Sequence, residues 1–408
     1  MRKYILLLLL ITILLSGCGK HESPPIVEIP GVPEQPEAPK APPVDPIEEK
    51  IKKMNLEEKI GQLIIVGLEG TELNDYDKVH IKDNKIGGFI LFSRNIENKD
   101  QVINLLNSLK EENEDNKLPL FLSVDEEGGL VSRLSKIYAN LSAAANLGRK
   151  NDDELSYEYG ENLGIKLNSL GFNLDFAPVL DINSNPKNPV IGKRAYGTTA
   201  NIVVQTGLAV MEGIRSQNII PVAKHFPGHG DTDTDSHLDL PRIDKSLNEL
   251  EGLELIPFKA AIDNGLDMIM VAHILYPQID GAVPATMSDT IIDEILRKRL
   301  GFDGVVISDD MTMGAITDNY SVEEAATKFI ISGGDIVLVC HGSDNPRLVI
   351  DRIKASIDSG EISMDEIDKK VYRIIRLKNK YNIERDNKID ISKEELNSMT
   401  TVLNNKLK

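Results

Sequence analysis

The chain has 408 residues, with 64 Asp and Glu against 46 Lys and Arg, a formal charge of −18, no tryptophan and two cysteines. A body this acidic argues against nucleic acid and against lying flat on anionic lipid. Cys18 and Cys340 are the only cysteines, and Cys18 sits in an N-terminal segment with a different use for it, so no disulfide framework is expected.

The N-terminus reads as a processing segment. Arg2 and Lys3 form a short positive region, and Tyr4 to Leu15 an apolar stretch too short to span a bilayer comfortably as a helix. The stretch closes on Leu15-Ser16-Gly17-Cys18, which resembles a bacterial lipoprotein signal. The resemblance implies a signal peptide over residues 1–17, lipidation of Cys18, and a mature protein held on the extracytoplasmic face of a bacterial membrane. An uncleaved anchor helix is the alternative. Residues 22–47 hold nine prolines and no periodic apolar pattern, so 18–48 is expected to be an extended tether.

Residues 49–383 carry the folded part. Short apolar runs recur along it: Gln62 to Val66, Gly87 to Phe92, Pro119 to Val124, Leu174 to Leu180, Ile219 to Ala223, Asp267 to Val271, Gly304 to Ile307 and Asp335 to Val339. Segments with helical spacing lie between most of them, such as Val102 to Glu111 and Asp289 to Leu300. Continuous apolar strands alternating with helices predict a parallel sheet covered on both faces. Eight units predict an α/β fold, a (β/α)8 TIM-like barrel forming one catalytic domain; a doubly wound open sheet is the alternative. Residues 384–408 read as a polar tail with one amphipathic stretch, Ile391 to Leu403.

The ends of the runs are chemically distinctive. Asp125 follows the third, Asp181 the fourth, Lys224 and His225 the fifth, His273 the sixth, Asp309 the seventh and His341 the eighth. Titratable residues gathered after strands mark the face on which barrel enzymes build their sites; charges at both ends would mark a purely structural pattern. The fifth run opens into Lys224-His225-Phe226-Pro227-Gly228-His229-Gly230-Asp231, continuing to Asp235-Ser236-His237, with three of the seven histidines. Pro227, Gly228 and Gly230 exclude a helix and predict a loop leaving a strand. Alone, this segment fits a plain polar loop, an acid/base site or a metal site. Paired histidine ligands at short spacing usually need a helix face, which disfavours metal.

Several segments resemble glycoside hydrolase family 3, in its β-N-acetylglucosaminidase branch. They are Asp125-Glu126-Glu127-Gly128-Gly129 with Arg133, Asn173 to Asp181 with Asn188 to Gly192 and Arg194, the Lys224–His237 stretch, and Ser308-Asp309. Glu126 stands where the branch usually has glutamine and Leu130 where it has arginine. The further C-terminal domain of many members is not expected in a tail of 25 residues.

The resemblance implies a retaining exo-glycosidase that removes terminal non-reducing GlcNAc from peptidoglycan fragments or chito-oligosaccharides and requires no cofactor and no metal. Retention needs a nucleophile and a proton donor. The resemblance assigns the first to Asp309, Asp310 being the alternative, and the second to His237 with Asp235 as its partner. A carboxylate bonded to one imidazole nitrogen fixes the tautomer and leaves the other to serve the leaving oxygen. Asp125, Arg133, Arg194, Lys224 and His225 are carried over as substrate-binding residues; for Arg133 an exposed helix charge is the plain alternative. Three other functions fit parts of the chain: a different family 3 β-glycosidase, a GlcNAc phosphorylase, and a non-catalytic wall- or solute-binding lipoprotein.

Overall fold

The computed structural model of the chain describes residues 45–233, 240–383 and 388–408. Cys18, the signal and most of the tether, and the expected dyad Asp235 and His237, lie outside the described residues.

Eight parallel strands close into a barrel: β1 Ile64–Gly67, β2 Gly88–Leu91, β3 Phe121–Val124, β4 Leu174–Asp175, β5 Ile220–Phe226, β6 Met268–Val271, β7 Val305–Asp310 and β8 Ile336–Val339. Each strand pairs with its sequence neighbours, and β1 closes on β8 with Ile64 opposite Val337. The doubly wound sheet is therefore ruled out. Helices cover the strands for the expected reason. In Lys99–Glu112, Asn98 caps the first turn, and Val102, Leu105, Leu106 and Leu109 fall on one buried stripe. Each such side chain contributes roughly 1.5–3 kcal/mol by leaving water.

The structure departs from the sequence pattern in three details. The fifth strand does not end at Ala223: it runs through Phe226, so Lys224 and His225 are buried strand residues, and the loop begins at Pro227. The fourth run pairs only over Leu174–Asp175 and regains a single bridge, Val179 to Lys224; Pro178 has no N–H to give a continuous ladder. The segment Asp289 to Leu300 is a π-helix over Thr290–Arg299, with Leu300 N–H donating to Ile295 O at 2.9 Å, yet Ile291, Ile292, Ile295 and Leu296 are all buried. The amphipathic stretch of the tail forms the helix Lys393–Lys406, which buries Leu396, Thr400 and Leu403.

Charged residues line both ends of the barrel, contrary to expectation. Before β8, Asp335 is fully buried and takes Arg297 at 2.5 Å, Arg373 at 3.1 Å and the Val306 N–H at 2.8 Å. Lys378 donates to Gln62 Oε1 and to the carbonyls of Gly87 and Pro119, at 2.7, 3.2 and 2.6 Å, all just before strands. Burial pushes its ammonium well below the usual lysine range.

Candidate active site

At the opposite end, the C-terminal rim opens on a cavity of about 350 Å³ whose lining includes Asp125, Arg133, Arg194, Lys224, His225 and Asp309. Residues widely scattered in sequence thus face one space. Its inner wall is built on Glu127, a buried residue that stands out in the sequence only as part of a motif. Arg194 grips it with both arms of the guanidinium, Nε to Oε2 at 2.8 Å and Nη2 to Oε1 at 2.7 Å. Lys224 Nζ lies 2.8 Å from Glu127 Oε1 and 2.7 Å from Asp125 Oδ1. Arg133 stands 3.7 Å from the other Asp125 oxygen. It follows a short strand and precedes a 3-10 turn, so it is not an exposed helix charge.

Burial opposes the charges of Glu127, Arg194 and Lys224, and pairing overrides it. Arg194 and then Lys224 outweigh burial at Glu127 and hold its carboxyl far below the usual range, while Glu127 raises Arg194 in return. Lys224 is raised despite burial because Asp125 and Glu127 flank it. The result is a row of alternating charge whose members Arg133, Asp125, Lys224 and Arg194 line the cavity, a pattern able to hydrogen-bond a polyhydroxylated ring.

A tight hairpin places this wall. Its strands are Glu126–Gly128 and Val131–Ser132, and its turn uses Gly128 and Gly129 at φ 77° and 58°. A Cβ on Gly128 would meet the Tyr159 hydroxyl at 2.2 Å. Glu126 supports the hairpin from behind, accepting the Ser132 hydroxyl at 2.7 Å and the N–H groups of Arg133 and Leu134 at 2.8 and 3.0 Å. Leu130 sits at the tip, 74% exposed. Neither residue is among those lining the cavity; one departure from the family pattern falls on the support of the hairpin and the other on its exposed tip.

The histidines are ordered by Asp181, which ends the fourth run fully buried. Its carboxylate takes the His225 Nδ1–H at 2.7 Å and the His225 and His229 backbone N–H groups at 3.2 and 2.6 Å. With Nδ1 so engaged, His225 Nε2 turns to Arg194, 3.5 Å away. His229 Nδ1 meets the Thr232 hydroxyl at 2.9 Å, and burial joined by repulsion from His225 lowers its pKa to about 4.

Asp309 and Asp310 lie at a strand irregularity. Register between β7 and β8 shifts between Ile336 and Leu338. There the Ser308 hydroxyl accepts the Leu338 N–H and Asp310 Oδ1 accepts the Cys340 N–H, each at 3.0 Å, in place of ladder carbonyls. Asp310 also binds the Thr312 N–H and hydroxyl at 2.9 and 2.7 Å. Its carboxylate is occupied in joining strands. Asp309 receives the Asp310 N–H at 2.8 Å. Burial would raise its carboxyl, but His273, His225, that N–H and Lys224 together hold it below the ordinary aspartate range. It is thus kept ionised on a fixed strand, as a nucleophilic carboxylate requires.

Residues 55–377 match the glycosyl hydrolase family 3 N terminal domain. The chain is 35% identical over 320 residues to beta-hexosaminidase A of Pseudoalteromonas piscicida, covering 72% of this chain and 53% of that protein. It is 37% identical over 285 residues to beta-hexosaminidase of Hydrogenovibrio crunogenus, covering 68% and 78%. It thus spans about half the length of the first relative and most of the second. Among solved structures it resembles a glycoside hydrolase family 3 beta-N-acetylglucosaminidase from Paenibacillus sp., with TM-score 0.83, 37% identity, and 86% and 68% of the two chains covered.

Proposed function

The chain belongs to glycosyl hydrolase family 3 and is a glycoside hydrolase, and from that premise we propose that it is an exo-acting, retaining β-N-acetylglucosaminidase. The observation that carries the reading is the shared cavity, whose lining joins Asp309 to the charged wall of Asp125, Lys224 and Arg194, the last two held from behind by Glu127. Relatives named beta-hexosaminidase support the choice of sugar. In this reading the wall binds the terminal GlcNAc through its hydroxyls, and cleavage proceeds from the non-reducing terminus.

In the first step Asp309 attacks the anomeric carbon, the glycosidic C–O bond breaks, and the leaving oxygen takes a proton from His237. The glycosyl-enzyme then yields to water, whose proton returns to His237. Asp235 orients the imidazole throughout and stabilises its charged form. In cells we place the protein on the extracytoplasmic face of the membrane through lipidated Cys18 and the 18–48 tether, acting on peptidoglycan fragments or chito-oligosaccharides.

The test is a product assay on GlcNAc–MurNAc and on chitobiose, with and without inorganic phosphate. Release of free GlcNAc with a β anomer formed first is the expected result. GlcNAc 1-phosphate as the main product would replace hydrolysis with phosphorolysis. Binding without turnover would favour a non-catalytic wall-binding role.

A further inference from the structure

We propose that Phe92, braced by Arg94, is the platform on which the leaving sugar ring rests; this builds on the reading of the cavity as a glycosidase pocket. The chain has no tryptophan, and among the described residues lining the cavity Phe92 is the one Phe or Tyr side chain. It comes directly after β2, beside Met313, Arg133 and His341. The inner end of an exo-acting pocket is filled by the terminal sugar, so residues toward the mouth meet the next unit of the substrate. The half-exposed ring of Phe92, next to the exposed Arg94 and His341, is on that side.

The ring is fixed on every link. The Phe92 N–H donates to Asn95 Oδ1 at 2.8 Å, and buried Asn95 donates in turn to the carbonyls of Leu68 and Gly70 at 2.9 and 2.7 Å. Arg94 reaches across the ends of two neighbouring strands, Nε to Leu68 O at 2.9 Å and Nη2 to Cys340 O at 3.1 Å. That places its guanidinium 4.6 Å from the Phe92 ring centre. Among the described residues Arg94 has no carboxylate partner, so its long side chain is held by two carbonyls and one aromatic ring. Arg133 stands 5.9 Å from the same ring centre and 3.7 Å from Asp125, so the platform adjoins the wall that holds the terminal sugar. Aromatic faces stack on the C–H face of a pyranose, which gives preference for a ring-bearing leaving group. Phe92 is thereby a specificity residue and Arg94 a positioning residue.

The test compares chitobiose with N-acetyl-β-glucosaminyl fluoride, whose leaving group has no ring, on the full chain. Phe92→Ala should lower kcat/KM for chitobiose about tenfold, chiefly through KM, and change the fluoride less than about twofold. Phe92→Tyr should retain the wild-type ratio, and Arg94→Gln should fall between. Phe92→Leu, which keeps the bulk without the aromatic face, serves if the alanine variant does not fold, with the same expectation. Equal losses on both substrates, or no loss on chitobiose, would overturn the platform. Wild-type protein inert toward both would overturn the glycosidase reading and the platform together, a result distinct from either.

Discussion

The two ends of the barrel are charged alike and differ in what the charges face. Below, Asp335, Arg297, Arg373 and Lys378 direct their hydrogen bonds to one another and to the carbonyls and N–H groups where strands begin. Above, Arg194, Lys224 and Asp125 are paired just as closely, with Glu127 behind the first two, but on one side only. The other side is open space beside Asp309. Both clusters offset the penalty of burying charge by pairing. Position at a strand end therefore does not separate site from scaffold; an incomplete partner set facing a cavity does.

Several substitutions sharpen that contrast. The largest effect is expected from Asp309→Ala, which should reduce turnover of any β-GlcNAc substrate by at least roughly 10³–10⁴-fold while leaving the melting temperature nearly unchanged. Near-wild-type turnover, or labelling of Asp310 by a fluorosugar, would reassign the nucleophile. His237→Ala should slow chitobiose cleavage by about 10²–10⁴-fold, yet barely slow formation of the glycosyl-enzyme from an activated p-nitrophenyl glycoside. Equal losses would send the search for the acid elsewhere.

A matched pair then tests the two ends directly. Asp335→Ala strands two arginines and an N–H and should cost about 3–5 kcal/mol of stability with kcat/KM intact where the protein is folded. Glu127→Ala strands Arg194 and Lys224 and should cost a similar amount while also abolishing substrate binding. Denaturant melts and Michaelis kinetics on both variants decide it; a loss of kcat/KM in the Asp335 variant would erase the distinction. The smallest effect concerns pH. Glu127 titrates below its ordinary value of 4.5 in the folded state. Its stabilisation is complete above that value and is lost as pH falls toward the folded pKa. Glu127→Gln should flatten this part of the acid unfolding curve, and an unchanged slope would show that the carboxylate is not held ionised by its partners.

The barrel was legible because eight apolar runs with helical segments between them admit few arrangements. The candidate site was legible in part, through residues that come just after those runs or belong to segments resembling the family. Glu127 was not singled out, since one acid in a pair beside Gly-Gly has no periodic signature; its importance comes from Arg194 and Lys224, which reach it from distant parts of the chain. Lys224 and His225 looked like a loop because apolarity stops at Ala223, whereas pairing lets the strand continue through charged residues. Asp181 was seen as a strand end, but its hold on His225 and His229 depends on a fold that brings separate strands together.

The helix at the end of the chain has a bearing on how the site is assembled. Asn397 and Asn404 accept the N–H groups of Ala139 and Ser142, partners 258 and 262 positions apart. The segment so held gives Leu141 O to the Gly129 N–H, and Tyr159 ties Ser142 O to Glu127 O. During synthesis the hairpin that carries Glu127 emerges well before the residues that brace it, which lie more than 250 positions further along the chain. A nascent chain thus has its charged wall without its outer brace until Asn397 and Asn404 have been made, and removing residues 390–408 would return the folded body to that state.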